Sequence, residues 1–138
     1  MSIEILLGTQ VPENRPLALL DLIEAGLPAE SLAAFKSATG MGDDEIARLL
    51  NIGGRTLTRM RSAANERLPA DLSDRLFAVA SLYRLAEDVF GESKIAIGWL
   101  NEKQFGLGQR VPRDLLASEF GRQQVRALLE RIEYGQLA

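Results

Sequence analysis

Residues 43–62 read DDEIARLLNIGGRTLTRMRS, two short amphipathic runs separated by Asn-Ile-Gly-Gly. The first run has the small residue Ala47 at the position where a second helix would pack closest. Asn51, four residues later, tolerates the left-handed backbone that a tight turn between two crossing helices often needs. Apolar residues follow at the positions that must face inward, namely Ile52, Leu57 and Met60. The stretch therefore predicts a helix-turn-helix.

The outward face of the second predicted helix carries polar and cationic side chains and no carboxylate. Arg55 and Arg59 lie one helical turn apart, a spacing that suits bidentate contacts to guanine edges. Threonines suit thymine methyl groups or phosphates, and the start of the helix suits a backbone phosphate. We predict a DNA-binding surface made of Arg48, Gly54, Arg55, Thr56, Thr58, Arg59 and Arg61, with Arg67 at its rim. A helix pair that packs this way without binding DNA is the alternative.

The formal net charge of −3 is unevenly distributed along the chain. Residues 1–47 carry two basic and eight acidic side chains, a net charge of −6. Residues 48–75 carry six arginines and three acidic side chains, a net charge of +3, and residues 76–138 are balanced. One basic segment in an acidic chain is typical of a local phosphate-contacting surface. A merely solvated arginine cluster is the alternative.

The 138 residues include no cysteine and no histidine. This composition excludes disulfides and cysteine-based zinc sites, and it removes the most common general base and metal ligand. An enzyme is therefore disfavoured, and no cofactor or metal is expected. No apolar run approaches the roughly 20 residues that span a bilayer, and the N-terminus lacks the features of a signal peptide. We expect a soluble, cytoplasmic protein without membrane contact.

Hydrophobic periodicity in the rest of the chain predicts an all-α fold. Beyond the helix-turn-helix, helices are expected at residues 17–25, 29–37, 70–90, 95–100, 112–118 and 122–134. The best candidate for a strand or a docked N-terminal arm is Ile3–Leu7. The longest helix, 70–90, has two apolar stripes, which fit either burial in the core or a dimer interface. Because Gly91 ends it, we expect a DNA-binding domain at residues 1–91 and a second helical domain at residues 92–138.

The pattern of the last third alone indicates only a helical unit. Its single tryptophan, Trp99, fits an ordinary core anchor. Alternatively, Trp99 forms a partner-binding patch together with Leu100, Phe105 and Leu107.

Residues 43–62 resemble the lambda-repressor-like, or Xre-like, helix-turn-helix family, with Asn51 where that family prefers glycine. The helices expected at 29–37 and 70–90 fit the bundle of that family. Such modules usually read palindromic half-sites as dimers. The resemblance therefore implies operator DNA and a second copy of the chain as partners, with residues 70–90 as the candidate dimer interface.

The C-terminal third resembles the toxin-binding domain of Xre-type antitoxins that are paired with RES-domain toxins. The resemblance is carried by Gly98-Trp99-Leu100, a glycine-containing loop, VPRDLL at 111–116, Gly121 and RIEYG at 131–135. The loop between Asn101 and Pro112 departs from the Asn/Pro/Gly-rich pattern of the family, which puts the role of that loop in doubt. The residues implied to build the domain are Trp99, Leu100, Pro112, Leu115, Leu116 and Gly121. Those implied to bind the toxin are Trp99, Leu100, Arg131, Glu133, Tyr134, Gly135, Gln136, Leu137 and Ala138.

The resemblance implies an antitoxin with two activities. Its C-terminal region blocks the active site of a RES-domain toxin, an enzyme that consumes NAD or transfers ADP-ribose from it. Its helix-turn-helix represses its own operon. The alternative is a plain helix-turn-helix transcriptional regulator whose C-terminal domain serves dimerisation or ligand sensing.

Overall fold

The computed structural model describes residues 1–135, and every regular element in that range is helical, which confirms the all-α prediction. The chain divides into two compact units, Met1–Ala80 and the residues from Ser81 onward. The first unit contains α1 (Ile3–Leu7), α2 (Pro16–Ala25), α3 (Glu30–Thr39), α4 (Asp43–Leu50), α5 (Gly54–Ser62) and the start of α6 (Ala70–Phe90). The second contains the rest of α6, α7 (Ser93–Asn101), two 3-10 segments (Phe105–Leu107 and Pro112–Leu115) and α8 (Glu119–Glu133).

The N-terminal segment is a helix, so the strand considered for Ile3–Leu7 was wrong. Its buried residues Ile3, Leu6 and Leu7 follow helical spacing and form one face of α1. The Ser2 side chain caps the helix by accepting a hydrogen bond from the Ile5 amide at 3.2 Å. The helix packs on α3, where the buried Ser31 hydroxyl donates to the Leu7 carbonyl oxygen. The five residues are too short for periodicity alone to separate a helix from a strand.

A short antiparallel contact joins the α2–α3 turn to the segment that follows α5. The Leu68 amide donates to the Leu27 carbonyl oxygen at 2.8 Å, and the Ala29 amide donates to the Glu66 carbonyl oxygen at 3.0 Å. The Leu27 amide in turn donates to the buried Ser73 hydroxyl of α6 at 2.8 Å. Gly26 makes this approach possible, since a Cβ atom there would lie 2.1 Å from the Leu68 carbonyl oxygen.

The core of the first unit is filled by apolar side chains from each of its helices. Because these side chains interdigitate, burial of their surface is the main stabilising contribution to the unit. The fully buried large residues are Ile3, Leu6, Leu7, Leu27, Leu32, Phe35, Ile46, Leu50, Leu57 and Leu76.

The second unit differs from the sequence prediction at two of its elements. The helix expected at residues 112–118 is only a 3-10 segment, Pro112–Leu115, and α8 begins at Glu119 rather than near Arg122. The physical reason is that Ser118 caps α8, its hydroxyl accepting from the Gly121 amide at 3.0 Å. The buried residues of α8 are Gly121, Val125, Leu128 and Leu129.

We predict opposite effects on stability from alanine at two helical glycines of this unit. A Cβ atom on Gly121 would lie 1.9 Å from the Leu115 carbonyl oxygen, whereas one on Gly98 in α7 would meet no atom within 4 Å. Gly121→Ala is expected to lower the free energy of unfolding by ~1–3 kcal/mol because the backbone must shift. Gly98→Ala is expected to raise it by up to about 1 kcal/mol, since alanine is the better helix former.

Urea unfolding followed by circular dichroism measures both variants against the wild-type chain. Equal changes for the two variants would contradict the close approach of α8 to the Leu115 backbone.

Candidate nucleic-acid and toxin interfaces

The turn between α4 and α5 has the geometry predicted from the sequence. Asn51 adopts the left-handed conformation with φ 56° and ψ 46°, and its amide donates to the Arg48 carbonyl oxygen at 3.1 Å. The Ile52 amide donates to the Ala47 carbonyl oxygen at 3.0 Å, and Ala47 is buried. Ile52 itself is half-buried rather than fully buried. These contacts fix the angle at which α5 leaves the turn.

The exposed side of α5 presents an arginine face, made of Arg55, Thr58 and Arg59. Neither arginine forms an ion pair within the part of the chain that the structure describes, so both guanidinium groups are available to a ligand. The Thr58 hydroxyl donates to the Gly54 carbonyl oxygen at 3.0 Å. The start of α5 is open, since a Cβ atom on Gly54 would meet no atom within 4 Å. Thr56 is half-buried and lies at the edge of this face.

Arg61 occupies a different position from the one expected for a DNA contact. Its guanidinium donates two hydrogen bonds to the Asp43 carboxylate, at 2.6 and 3.3 Å. The Lys36 ammonium binds the same carboxylate at 2.9 Å. These hydrogen bonds, from Arg61 first and Lys36 second, lower the pKa of Asp43 to about 2. We call these three side chains the Asp43 cluster.

Two more arginines of the basic segment bind backbone carbonyls. Arg67, expected at the rim of the DNA-binding surface, donates to the Gly26 carbonyl oxygen at 2.7 Å. Arg75 donates to the Leu50 carbonyl oxygen at 2.5 Å and so satisfies the C-terminal end of α4. Arg48 is exposed on α4. The sequence did not distinguish these roles, because each partner lies many residues from its arginine.

The two predicted toxin-binding residues of α7 have different surroundings. Leu100 is fully buried, so it contributes to the core of the second unit and not to its surface. Trp99 is half-buried and packs against Phe90, with ring centroids 5.5 Å apart and planes inclined by 41°. One edge of the indole therefore remains accessible while the other anchors the fold.

The loop after α7 and the first turns of α8 form a cleft of about 410 Å³. The loop is held by a two-residue antiparallel bridge, in which the Gln104 amide donates to the Arg110 carbonyl oxygen at 3.0 Å. The cleft is lined by Gly106, Leu107, Arg110, Leu115, Ser118, Phe120, Gly121 and Gln124. Phe120 is 71% exposed and Phe105, next to the cleft-lining Gly106, is 80% exposed. Sequence reasoning named Phe105 but missed Phe120, which lies in the first turn of α8.

The end of α8 exposes the remaining predicted toxin-binding residues that the structure describes. Arg131 and Glu133 are exposed, and the Tyr134 ring is 71% exposed. Gly135 follows with a φ of 69°, which ends the helix. The predicted residues Gln136, Leu137 and Ala138 lie outside the described range.

Both units match families of known proteins. Residues 18–81 match the antitoxin Xre-like helix-turn-helix domain, and residues 85–135 match the antitoxin Xre/MbcA/ParS C-terminal toxin-binding domain. Antitoxin Xre of Yersinia enterocolitica is 32% identical over 126 residues, which are 91% of this chain and 84% of the relative. The chain belongs to the Xre family of type II antitoxins.

A second relative and a solved structure are also similar to this chain. Antitoxin Xre of Photorhabdus laumondii is 29% identical to this antitoxin over 115 residues, 83% of this chain and 77% of the relative. A chain in the crystal structure of the M. tuberculosis MbcT-MbcA toxin-antitoxin complex has a TM-score of 0.59 at 20% identity. The match covers 80% of this chain and 96% of that chain, and it shows a shared fold.

Membership of this family tests the prediction, made from the composition, that the chain is not an enzyme. The relatives are antitoxins and not enzymes, which confirms that this antitoxin is not an enzyme. Among the described residues, no helix has the length and apolar character needed to cross a membrane.

We predict that Asp43 stabilises the folded chain above about pH 4 and ceases to do so near pH 2. The folded-state pKa of about 2 lies below the ordinary value of 3.8, so the ionised carboxylate favours the folded state. That contribution is present above the ordinary pKa and is lost as the pH falls through the folded-state value. Asp43→Asn should therefore lower the urea midpoint at pH 7 and have little effect at pH 2.

Asp44→Asn is the matched control, since Asp44 is an exposed carboxylate of the same first turn. A pH-independent difference between wild type and Asp43→Asn, or the same loss in Asp44→Asn, would contradict the assignment.

Proposed function

We propose that this antitoxin neutralises a RES-domain toxin, an enzyme that consumes NAD or transfers ADP-ribose from it, and represses its own operon in the cytoplasm. The observation that carries the proposal is the pairing, in one chain, of an arginine-faced helix-turn-helix with a toxin-binding domain whose last helix ends in an exposed aromatic residue. A plain regulator with a ligand-sensing C-terminal domain would not require an exposed aromatic residue at the end of its last helix.

The arginine face supports operator binding. In a helix-turn-helix the second helix enters the major groove and the first crosses the backbone. Arg55 and Arg59 stand one turn apart on α5, so both can reach base edges from one groove. The open start of α5 at Gly54 suits a backbone phosphate, because the first amides of a helix have no partner within the helix. Arg48 on α4 is positioned for a flanking phosphate.

A homodimer would place two such helices on a palindromic operator. One apolar stripe of α6 is already buried within a single chain, at Leu72, Leu76, Val79, Tyr83 and Ala86. In the second unit, Leu85 and Val89 of the second stripe are half-buried, and they are the part of α6 that we propose for a dimer interface.

The end of α8 supports occlusion of the toxin active site. The helix is 15 residues long and well anchored by Val125, Leu128 and Leu129, so it gives the residues after Glu133 a rigid base. Exposed aromatic residues and arginines are enriched where proteins bind partners. Arg131 and Tyr134 are exposed residues of these types at the end of the helix. Phe105 and Phe120 beside the cleft are two more exposed aromatic residues that the toxin could contact.

We predict that Arg55→Ala combined with Arg59→Ala abolishes sequence-specific operator binding. Each bidentate contact between arginine and guanine is worth ~1–3 kcal/mol, so the double variant is expected to bind at least about thirtyfold more weakly. Fluorescence anisotropy with a duplex from the promoter of this operon measures the affinity.

The control is Arg15→Ala with Arg126→Ala, which removes the same charge from exposed positions outside the helix-turn-helix. An unchanged affinity in the α5 double variant, or an equal loss in the control, would rule out the arginine face as the reading surface.

We predict that deletion of Gly135–Ala138 relieves inhibition of the toxin while leaving DNA binding within about twofold of wild type. The truncated chain retains α8 and the cleft, but it lacks the residues proposed to enter the active site. Consumption of NAD by the purified toxin, titrated with each antitoxin form, measures the inhibition.

Arg126→Ala, an exposed substitution two turns before Tyr134, is the control and should inhibit like wild type. Full inhibition by the truncated chain would refute occlusion by the tail. Capture of a toxin that consumes no NAD would refute the RES assignment and leave toxin binding intact.

A further inference from the structure

We infer that Asp43 is a specificity-determining residue, because it withholds Arg61 and Lys36 from DNA phosphates and so limits binding to sequences other than the operator. This inference rests on the proposed operator binding and concerns the same surface. It assigns a role to a carboxylate at the edge of that surface, where a negative charge would otherwise oppose DNA.

The geometry of the Asp43 cluster is that of a closed charge network. Arg61 binds both carboxylate oxygens, one at 2.6 Å and one at 3.3 Å, in the fork arrangement that favours arginine–carboxylate pairs. Lys36 binds the first of these oxygens at 2.9 Å. Isolated surface ion pairs are weak, but bidentate geometry and shared networks are the exceptions. The lowered pKa of Asp43 supports a pairing that persists at neutral pH.

Arg61 is also held in place by its burial. Only 26% of its side chain is exposed, and its Nε atom is buried. In contrast, Arg55 and Arg59 on the same helix are exposed. The helix therefore carries two kinds of arginine, which sequence alone does not separate.

The location of the cluster determines what it does to DNA binding. Asp43 is the first residue of α4, the helix that crosses the DNA backbone in a helix-turn-helix. Two unpaired cations there would add phosphate contacts, which strengthen binding to every sequence alike. Specificity is the ratio of operator affinity to affinity for other DNA. Pairing with Asp43 removes those contacts and leaves the base-reading arginines unchanged.

The test measures how strongly the affinity depends on salt, because each phosphate contact contributes about −0.9 to the slope of log K against log salt. Full-length wild type, Asp43→Asn and Asp44→Asn are titrated with the promoter duplex and with a scrambled duplex of equal composition. Both substitutions remove one charge from the same turn, but only Asp43→Asn releases Arg61 and Lys36. The scrambled-duplex slope of Asp43→Asn is expected to be steeper than that of Asp44→Asn by about 1–2.

Between about 50 and 200 mM salt, each added contact costs a further roughly threefold in affinity. With two released cations, the affinity of Asp43→Asn for the scrambled duplex should therefore fall about tenfold more over this salt range than that of Asp44→Asn. Its preference for the promoter duplex over the scrambled one should be smaller than that of wild type. Equal scrambled-duplex slopes for Asp43→Asn and Asp44→Asn would overturn the inference. In that case, tighter binding of wild type to the promoter duplex than to the scrambled duplex would still support the proposed function. Absence of binding by all three proteins would overturn both.

Arg61→Gln keeps the inference testable if Asp43→Asn fails to fold. Arg61 makes no phosphate contact in our scheme, so this variant should keep the wild-type salt slope on the scrambled duplex. A slope shallower than that of wild type by about 0.9, the value for one lost phosphate contact, would overturn the inference.

Discussion

The helix-turn-helix depends on the close approach of two backbone segments at Gly26 and Leu68. There, Leu27 and Leu68 are joined by a hydrogen bond of 2.8 Å, and no side chain larger than hydrogen fits on Gly26. This contact holds the end of the segment after α5, while the Asn51 turn fixes the start of the helix. Because α5 is fixed at both ends, its exposed arginines project from a rigid support, which limits the conformational entropy lost when they bind.

The same segment shows that the net charge of a stretch of sequence does not reveal which of its arginines have partners within the chain. Residues 48–75 hold six arginines, but three of them stabilise the fold through partners elsewhere in the chain. Arg61 binds a carboxylate, and the other two satisfy backbone carbonyls: Arg67 at Gly26 and Arg75 at Leu50. Buried or partly buried carbonyls need donors, and arginine supplies them over long distances. Arg48, Arg55 and Arg59 are exposed.

Sequence patterns predicted this fold well wherever the deciding interactions are local. The bounds of α6 and the left-handed Asn51 followed from a preceding proline, a terminal glycine and turn chemistry within a few residues. Predictions failed where distant contacts decide the structure. The segment Ile3–Leu7 becomes a helix by packing on α3. The early start of α8 is instead a local signal that was overlooked, since the Ser118 cap binds the Gly121 amide only three residues away. The pairing of Arg61 with Asp43, 18 residues away, has no sequence signature, so the sequence could not separate Arg61 from the exposed Arg55 and Arg59.

The two proposed activities depend on different physical forces, which allows one small acidic chain to carry both. The chain has a net charge of −3, and its positive charge is concentrated in residues 48–75, where operator DNA is proposed to bind. The C-terminal unit is electrically balanced over residues 76–138 and presents exposed aromatic rings instead. Binding by such rings depends on burial of apolar surface, which salt affects little, whereas phosphate contacts weaken steeply as salt rises. In the proposed scheme, DNA binding therefore weakens with salt and is tuned by Asp43, whereas the contribution of the exposed rings to toxin capture is not.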